Sequence, residues 1–323
     1  MIQNKSENPP SAPGIRRFSV KFFVFVLPVL ALLVAIELFF RQMENPFKTK
    51  AEYFAANKSR IEVLFFGSSH TQNGVNPEFF AKPSCNLGFA SQDIKADSSL
   101  FFHNVRQMPR LRTVIYELEY HRMDLENGPD YVRTPWYYLY YGIEIAPVNW
   151  INKISLYSSN TTFFNENLLQ MAMGKEKVHK TINKYGYVTK NFSSEFGKMG
   201  YDSAAIAKSA DKRLKGRFSE TDDAVFARNA RRVEMIAQYC KSHGIRLMLV
   251  GPPLYQTYQE RMLPRKRSRV RHFIDTLREK YGLPYADFSA DARFRLRDFA
   301  DDDHLDPDGA KKYTQLLDSL TQR

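Results

Sequence analysis

Apolar and polar positions along this chain alternate between two spacings. Residues 61–66 form a short, almost wholly apolar run that stops at Gly67. A run of branched and aromatic residues of this length reads as a strand buried on both faces of a parallel sheet. Short apolar runs at 85–89, 113–118, 245–250 and 284–288 predict further strands. Between them the spacing becomes helical. Ile94, Phe101 and Val105 mark one face of a helix over about 91–107. Val225, Asn229, Val233, Ile236 and Cys240 mark a second helix, and Val270, Phe273, Ile274, Leu277 and Tyr281 a third. His243-Gly244 and Gly282 close these two. Asp306 followed by Pro307 predicts the start of a terminal helix that buries Ala310, Tyr313, Leu317 and Leu320. Strands alternating with helices predict an α/β domain around a parallel sheet.

Two segments break this rhythm. Residues 22–40 are apolar except for Glu37, and 19 residues are enough for a helix to span a bilayer. Pro28 is tolerated in such a helix. Arg16, Arg17 and Lys21 crowd its N-terminal flank, which orients the tail to the cytoplasm, although Arg41, Lys48 and Lys50 follow on the other side. Phe39-Phe40-Arg41-Gln42 is a poor cleavage site, which favours a retained anchor over a removed signal peptide. The expected layout is a cytoplasmic tail at 1–17, an anchor at 18–40, a connector at 41–60 and an extracytoplasmic domain at 61–323. That makes a single-pass inner-membrane protein with its domain in the periplasm or its equivalent. The second break, at about 124–220, reads as an insertion into the domain. Its aromatic stretch, Pro135-Trp-Tyr-Tyr-Leu-Tyr-Tyr141, suits packing of the insertion, stacking on sugar rings or contact with a membrane.

The formal charge of +12 favours anionic partners, whether nucleic acid, lipid headgroups or acidic glycans. An extracytoplasmic domain without a glycine-rich phosphate loop sets nucleic acid aside. The run 261–271 holds five Arg and one Lys, a solvated helix face or a docking surface for anionic lipid or glycan. Cys85 and Cys240 are the only cysteines, too few for a disulfide framework or a metal cluster. No metal and no organic cofactor is expected.

Candidate chemistry sits at the two ends of the domain. Gly67-Ser68-Ser69-His70 follows the first strand, and ligands of open α/β sheets bind at the carboxyl ends of strands. A glycine permits a sharp turn there. A serine after it either offers its hydroxyl to a cleft or caps the next helix. At the far end, Asp301-Asp-Asp-His304 precedes the terminal helix. Asp301 is placed to hold one imidazole nitrogen of His304, leaving the other to take a proton from a serine. Asp302, Asp303 and Asp306 read as an acidic cluster complementing the helix dipole.

A strand ending in Gly-x-Ser, an Asn-x-Gly turn and Asp-x-x-His before the last helix together resemble the SGNH (GDSL) hydrolase family. The resemblance covers roughly 61–122 and 225–320. It implies a flavodoxin-like three-layer sandwich with a central parallel sheet. It makes Ser69 the nucleophile, with Ser68 in the family's Asp position, and His304 and Asp301 its partners. Through Asn86-Leu-Gly88 it puts the Gly88 amide, beside that of Ser69, in the oxyanion hole. Gly-Ser-Ser behind a membrane helix is most similar to a membrane-anchored branch. That branch includes the protein of teichoic-acid D-alanylation and partners of membrane-bound O-acyltransferases. The implied function is an esterase or O-acyltransferase acting on an envelope glycan or polymer through an acyl-serine. A membrane-bound O-acyltransferase and a polymeric glycan are then the expected partners. One block departs: the family's asparagine after the third strand is absent, and Glu117-Leu-Glu-Tyr-His121 stands there. His121 and Tyr120 are nearest to its place, and His70 either contacts substrate or caps the turn. Loss of one oxyanion donor costs about 10²–10³ in rate. This favours a specialised transferase, or a weakened activity, over a general esterase. The contrasting expectation is a non-catalytic scaffold of polysaccharide modification.

Overall fold

Five parallel strands form one sheet in the order β2-β1-β3-β4-β5 in the computed structural model, which describes residues 13–174, 181–190, 194–216, 218 and 222–322. Of the tail expected at 1–17, residues 1–12 lie outside these. The strands are β1 (Val63–Phe66), β2 (Ser84–Asn86), β3 (Thr113–Glu117), β4 (Arg246–Gly251) and β5 (Tyr285–Asp287). The chain leaves β1 for β2 on one side and returns to β3 on the other. This is the flavodoxin-like order, and it puts a topological switch point between the carboxyl ends of β1 and β3.

The period of two along each strand sorts its side chains into two cores. Leu64, Phe66, Val114, Tyr116, Leu247 and Leu249 face one core. Val63, Phe65, Ile115, Met248 and Val250 face the other. Helices therefore cover both faces. On the first lie α2 (Pro46–Asn57), α4 (Ile94–Asn104), α5 (Thr134–Tyr141), α11 (Asp223–Ser242) and α13 (Pro264–Tyr281). On the second lie α14 (Pro307–Thr321), α9 (Glu195–Lys198) and α10 (Ser203–Arg213). The one polar member of the α11 stripe, Asn229, donates to the carbonyls of Met123 and Leu125 at 3.1 and 3.0 Å. Cys85 and Cys240 are free, buried thiols.

At the N-terminus α1 (Pro13–Gln42) is long and apolar enough to cross a membrane. The middle of the chain is helical: α6 (Trp150–Ile154), α7 (Leu156–Ser159) and α8 (Thr161–Ala172) follow α5. The aromatic stretch is largely packed inside: Trp136, Tyr137 and Tyr141 are buried. Trp136 Nε1 donates to Ser159 Oγ at 2.9 Å, and Tyr137 Oη to Gln92 Oε1 at 2.7 Å. The basic run does not form one solvated face. Lys266 is buried and pairs with Asp124 at 3.1 Å, and Arg269 pairs with Asp223 at 2.6 Å. The remaining helices, α3 (Ser69–Gly74) and α12 (Gln256–Gln259), are short and follow the carboxyl ends of β1 and β4.

Candidate active site

The turn after β1 is built on one carboxylate. Glu117, the last residue of β3, faces it across the switch point and is buried. Its Oε2 accepts from the Ser68 amide (3.1 Å), the Thr71 amide (2.8 Å) and Thr71 Oγ1 (2.5 Å). Its Oε1 accepts from Ser68 Oγ at 2.7 Å. A Cβ on Gly67 would stand 2.0 Å from Thr71 Oγ1 and 2.4 Å from Glu117 Oε2, so only glycine fits. The two serines divide the roles open to them. Ser68 is the N-cap of α3, its Oγ accepting from the His70 amide, and Ser69 is left with its hydroxyl facing the chain's far end.

The far end is a tight loop, pinned by a bridge between Phe299 and Leu305 and by the Ala300 amide on the His304 carbonyl at 2.9 Å. Asp301 Oδ1 accepts from the amides of Asp303 and His304 at 3.0 and 2.8 Å. His304 Nδ1 lies 3.0 Å from each Asp301 oxygen, and its Nε2 lies 2.8 Å from Ser69 Oγ. With Asp301 ionised, Nδ1 carries the proton and donates it. Nε2 then accepts from the Ser69 hydroxyl. The side chains of His304 and Asp301 remain partly exposed, and Ser69 is half-buried.

The acidic run is not a dipole cluster. Only Asp306 serves α14, accepting from the Gly309 amide at 2.8 Å. Asp302 takes a two-pronged contact from Arg213 of α10, both distances 2.8 Å, and a bond from Thr257 Oγ1 of α12. Asp303 lies 3.5 Å from His70 Nε2 and 3.4 Å from His304 Nδ1. At 3.5 Å the His70 contact is an ion pair rather than a hydrogen bond, and among the described residues His70 Nε2 has no hydrogen-bond partner. The His70 and His304 rings stack at 5.1 Å.

Charge follows this packing. Burial opposes a proton on His70, but Asp303 and Glu117 outweigh it and hold its pKa well above the imidazole value. Burial likewise opposes His304, and Asp303 and Asp301 raise it. Burial would raise Glu117, yet His70, Arg122 and Ser68 bring it down to about 2. Behind Glu117, buried Arg122 donates to the Glu117 carbonyl at 2.6 Å and pairs with Asp97, while Tyr116 Oη and Gln92 Nε2 complete the Asp97 shell at 2.7 and 2.6 Å. Burial pushes Asp97 up to about 6 despite Arg122. His70, Asp303 and His304 also bring ligand atoms within 4.8 Å of one another, a donor set that a cation would fit. These atoms are engaged with each other and with Ser69, Asp301 and Glu117.

Four sequence expectations change. The Gly88 amide donates to Asn86 Oδ1 at 2.9 Å, closing the turn after β2, so it is not available to an oxyanion. His70 is buried between Glu117 and Asp303 rather than placed against a substrate. Tyr120 Oη accepts from the Leu263 amide at 2.6 Å inside a small apolar cluster. His121 Nε2 is paired with Tyr258 Oη in the same place. Glu117, Arg122 and Arg213 are given no role at this site by the sequence reading, and Asp303, read there as part of a dipole cluster, lies against both histidines instead. A carboxylate ending an otherwise apolar strand was the visible signal for Glu117. Arg213 lies too far along the chain from Asp302 for any spacing to show.

The insertion also clamps the rim. Asn127 Nδ2 donates to the Ser91 carbonyl at 2.8 Å, and Tyr131 and Arg133 donate to that of Ala90. The Ala90 amide donates to Gln72 Oε1 at 2.7 Å. A cavity of about 270 Å³ opens beside Gln72, one helical turn from Ser69, and is lined by Phe47, Arg133, Trp136, Phe163 and Phe164 among others. A second, of about 170 Å³, lies past the ends of β3, β4 and β5 and touches none of Ser69, His304 and Asp301.

No family model matches the chain, and no curated protein does. Among solved structures, one similar chain is a Bacteroides fragilis NCTC 9343 protein with the provisional name acylhydrolase. It has 11% identity and a TM-score of 0.39, with 84% of this chain and 97% of that one covered. Another is a Streptococcus pneumoniae protein with the provisional name platelet activating factor. It has 12% identity and a TM-score of 0.37, with 93% and 97% covered. Similarity at this level says nothing of substrate or mechanism.

Proposed function

We propose that this chain is a membrane-anchored, SGNH-like serine esterase or O-acyltransferase, working on a cell-envelope glycan or polymer through an acyl-serine. The observation that carries the reading is the unbroken chain from Ser69 Oγ to His304 Nε2 (2.8 Å) and from His304 Nδ1 to Asp301 (3.0 Å). His304 takes the Ser69 proton as Oγ attacks an ester carbonyl. The oxyanion is met by the Ser69 amide at the first turn of α3. The alcohol leaves with the proton from His304, and water or a glycan hydroxyl then releases the acyl group. Asp301 holds the His304 tautomer throughout. The apolar α1 and the net charge of +12 support a polymer at a membrane surface as substrate.

The test is labelling of the full-length protein in detergent with a fluorophosphonate. Wild type is expected to label stoichiometrically, and Ser69→Ala and His304→Ala only at background. Equal labelling of wild type and Ser69→Ala would overturn the reading and favour a scaffold.

A further inference from the structure

The helices α6 to α8 pack around the carboxyl end of α1, and α6 and α8 expose large apolar residues, on α8 beside exposed Thr161, Thr162, Asn165, Glu166 and Gln170. Trp150, Ile151 and Ile154 are exposed on α6, and Leu168 and Leu169 on α8. Globular surfaces rarely gather such residues without a partner. Here the position of α1 says what the partner is. Glu37 accepts from Ser155 Oγ, the Leu156 amide and the Tyr157 amide at 2.9, 2.8 and 3.2 Å, at the start of α7. Arg41 donates to the Ile154 carbonyl at 2.7 Å. Phe40 is fully buried, its ring 4.6 Å from that of Phe164 and 5.4 Å from that of Tyr157. By contrast, most of the large apolar residues of α1 before Glu37 are exposed.

Residues 18–36 of α1 span about 28 Å at 1.5 Å per residue, close to the thickness of a bilayer's hydrocarbon core. If they cross it, Glu37 falls at the boundary, and whatever is bolted to Glu37, Phe40 and Arg41 lies at headgroup depth. We infer that α6 and α8 form a bilayer-seating face, in which Trp150, Ile154 and Leu169 enter the phospholipid interface beside the anchor and hold the domain in one orientation. A tryptophan with aliphatic neighbours is the composition that this depth favours. The inference rests on the membrane-anchor part of the proposed function and is independent of the chemistry at Ser69.

Both native cysteines are buried, so single cysteines introduced at Ile154, Leu169 and Leu32 of the full-length chain carry a nitroxide cleanly. In phosphatidylcholine–phosphatidylglycerol nanodiscs, labels at Ile154→Cys and Leu169→Cys are expected to be more accessible to oxygen than to a water-soluble nickel chelate, as is the label at Leu32→Cys. Trp150 emission is expected to be quenched by lipids brominated near the headgroup, and Trp150→Phe to abolish that part of the quenching. Trp136, the only other tryptophan, is buried, so the difference reports Trp150. Water exposure at Ile154 or Leu169 with Leu32 in lipid would overturn the seating face and leave the anchor standing. Water exposure at all three would overturn both.

Discussion

At the scale of single residues, the candidate site depends on how three carboxylates, Glu117, Asp301 and Asp303, share two imidazoles. His304 must be neutral to act as a base, and its pKa is raised because Asp303 and Asp301 outweigh burial. Fluorophosphonate labelling should therefore rise with pH through a midpoint above 6.5, the ordinary value. In Asp301→Asn the midpoint should move to lower pH, since one of the groups favouring the imidazolium is gone. The plateau rate should also fall by about 10⁴, because the tautomer is no longer held. An unmoved midpoint would mean that His304 is not the titrating base.

Glu117 has the opposite sign. Its folded pKa of about 2 lies below the ordinary 4.5, so its contribution to stability is present above pH 4.5 and is lost as pH falls toward 2. The His70 pKa is raised, so its contribution is present below 6.5 and is lost as pH rises through its higher folded value. The pair therefore stabilises the turn fully only between those ordinary values. Glu117→Ala leaves the Ser68 and Thr71 hydroxyls without their acceptor and His70 without one of its two facing carboxylates. It should cost about 3–5 kcal/mol in urea unfolding, with loss of labelling.

At the scale of elements, the two turns that carry the proposed chemistry are each fixed by a glycine or a cap. A Cβ at Gly67 would collide with both Thr71 and Glu117, so Gly67→Ala should push α3 away from β3 and reduce labelling sharply, even where near-native circular dichroism survives. Asp306→Ala removes only the cap of α14 and should cost about 1 kcal/mol while labelling persists, because Asp301 and not Asp306 orients His304. The contrast separates a local stability effect from loss of the hydrogen-bond chain. These elements were also the legible ones. Asp306-Pro307 announced α14, and apolar runs ending in glycine or proline announced β1 and β4, because local chemistry dictates them. The helices of the insertion gave no such sign. Trp136, Tyr137 and Phe164 are buried by aromatic contacts between segments rather than by a stripe at helical spacing. The bond made by the Gly88 amide is hidden for a related reason. An Asn-x-Gly turn was visible, but not that the asparagine's own oxygen occupies the glycine amide. Ser69 is legible because it stands where β1 gives way to α3, and Asp301 and His304 because they lie three residues apart in the loop before α14. Glu117 and Arg213 reach partners far away along the chain, where sequence distance carries no information.

At the scale of the whole molecule, the insertion joins α1 to the candidate site. Its first residues clamp the loop after β2, its Arg213 braces Asp302, and α7 is held by Glu37. A lone carboxylate in an apolar helix is costly in a bilayer, and here three donors and Arg41 account for its position. Glu37→Ala should remove that joint without touching the chemistry. In nanodiscs the variant should stay with the lipid, since α1 loses no apolar residue. Limited proteolysis should then cut faster within 150–172, as α7 loses the acceptor for its first amides. Ser69 labelling should remain close to wild type, because none of Ser69, His304 and Asp301 bonds to Glu37 or to α7. A variant that loses labelling while its proteolysis pattern is unchanged would contradict this, and would mean that Glu37 acts on the site by a route other than the insertion.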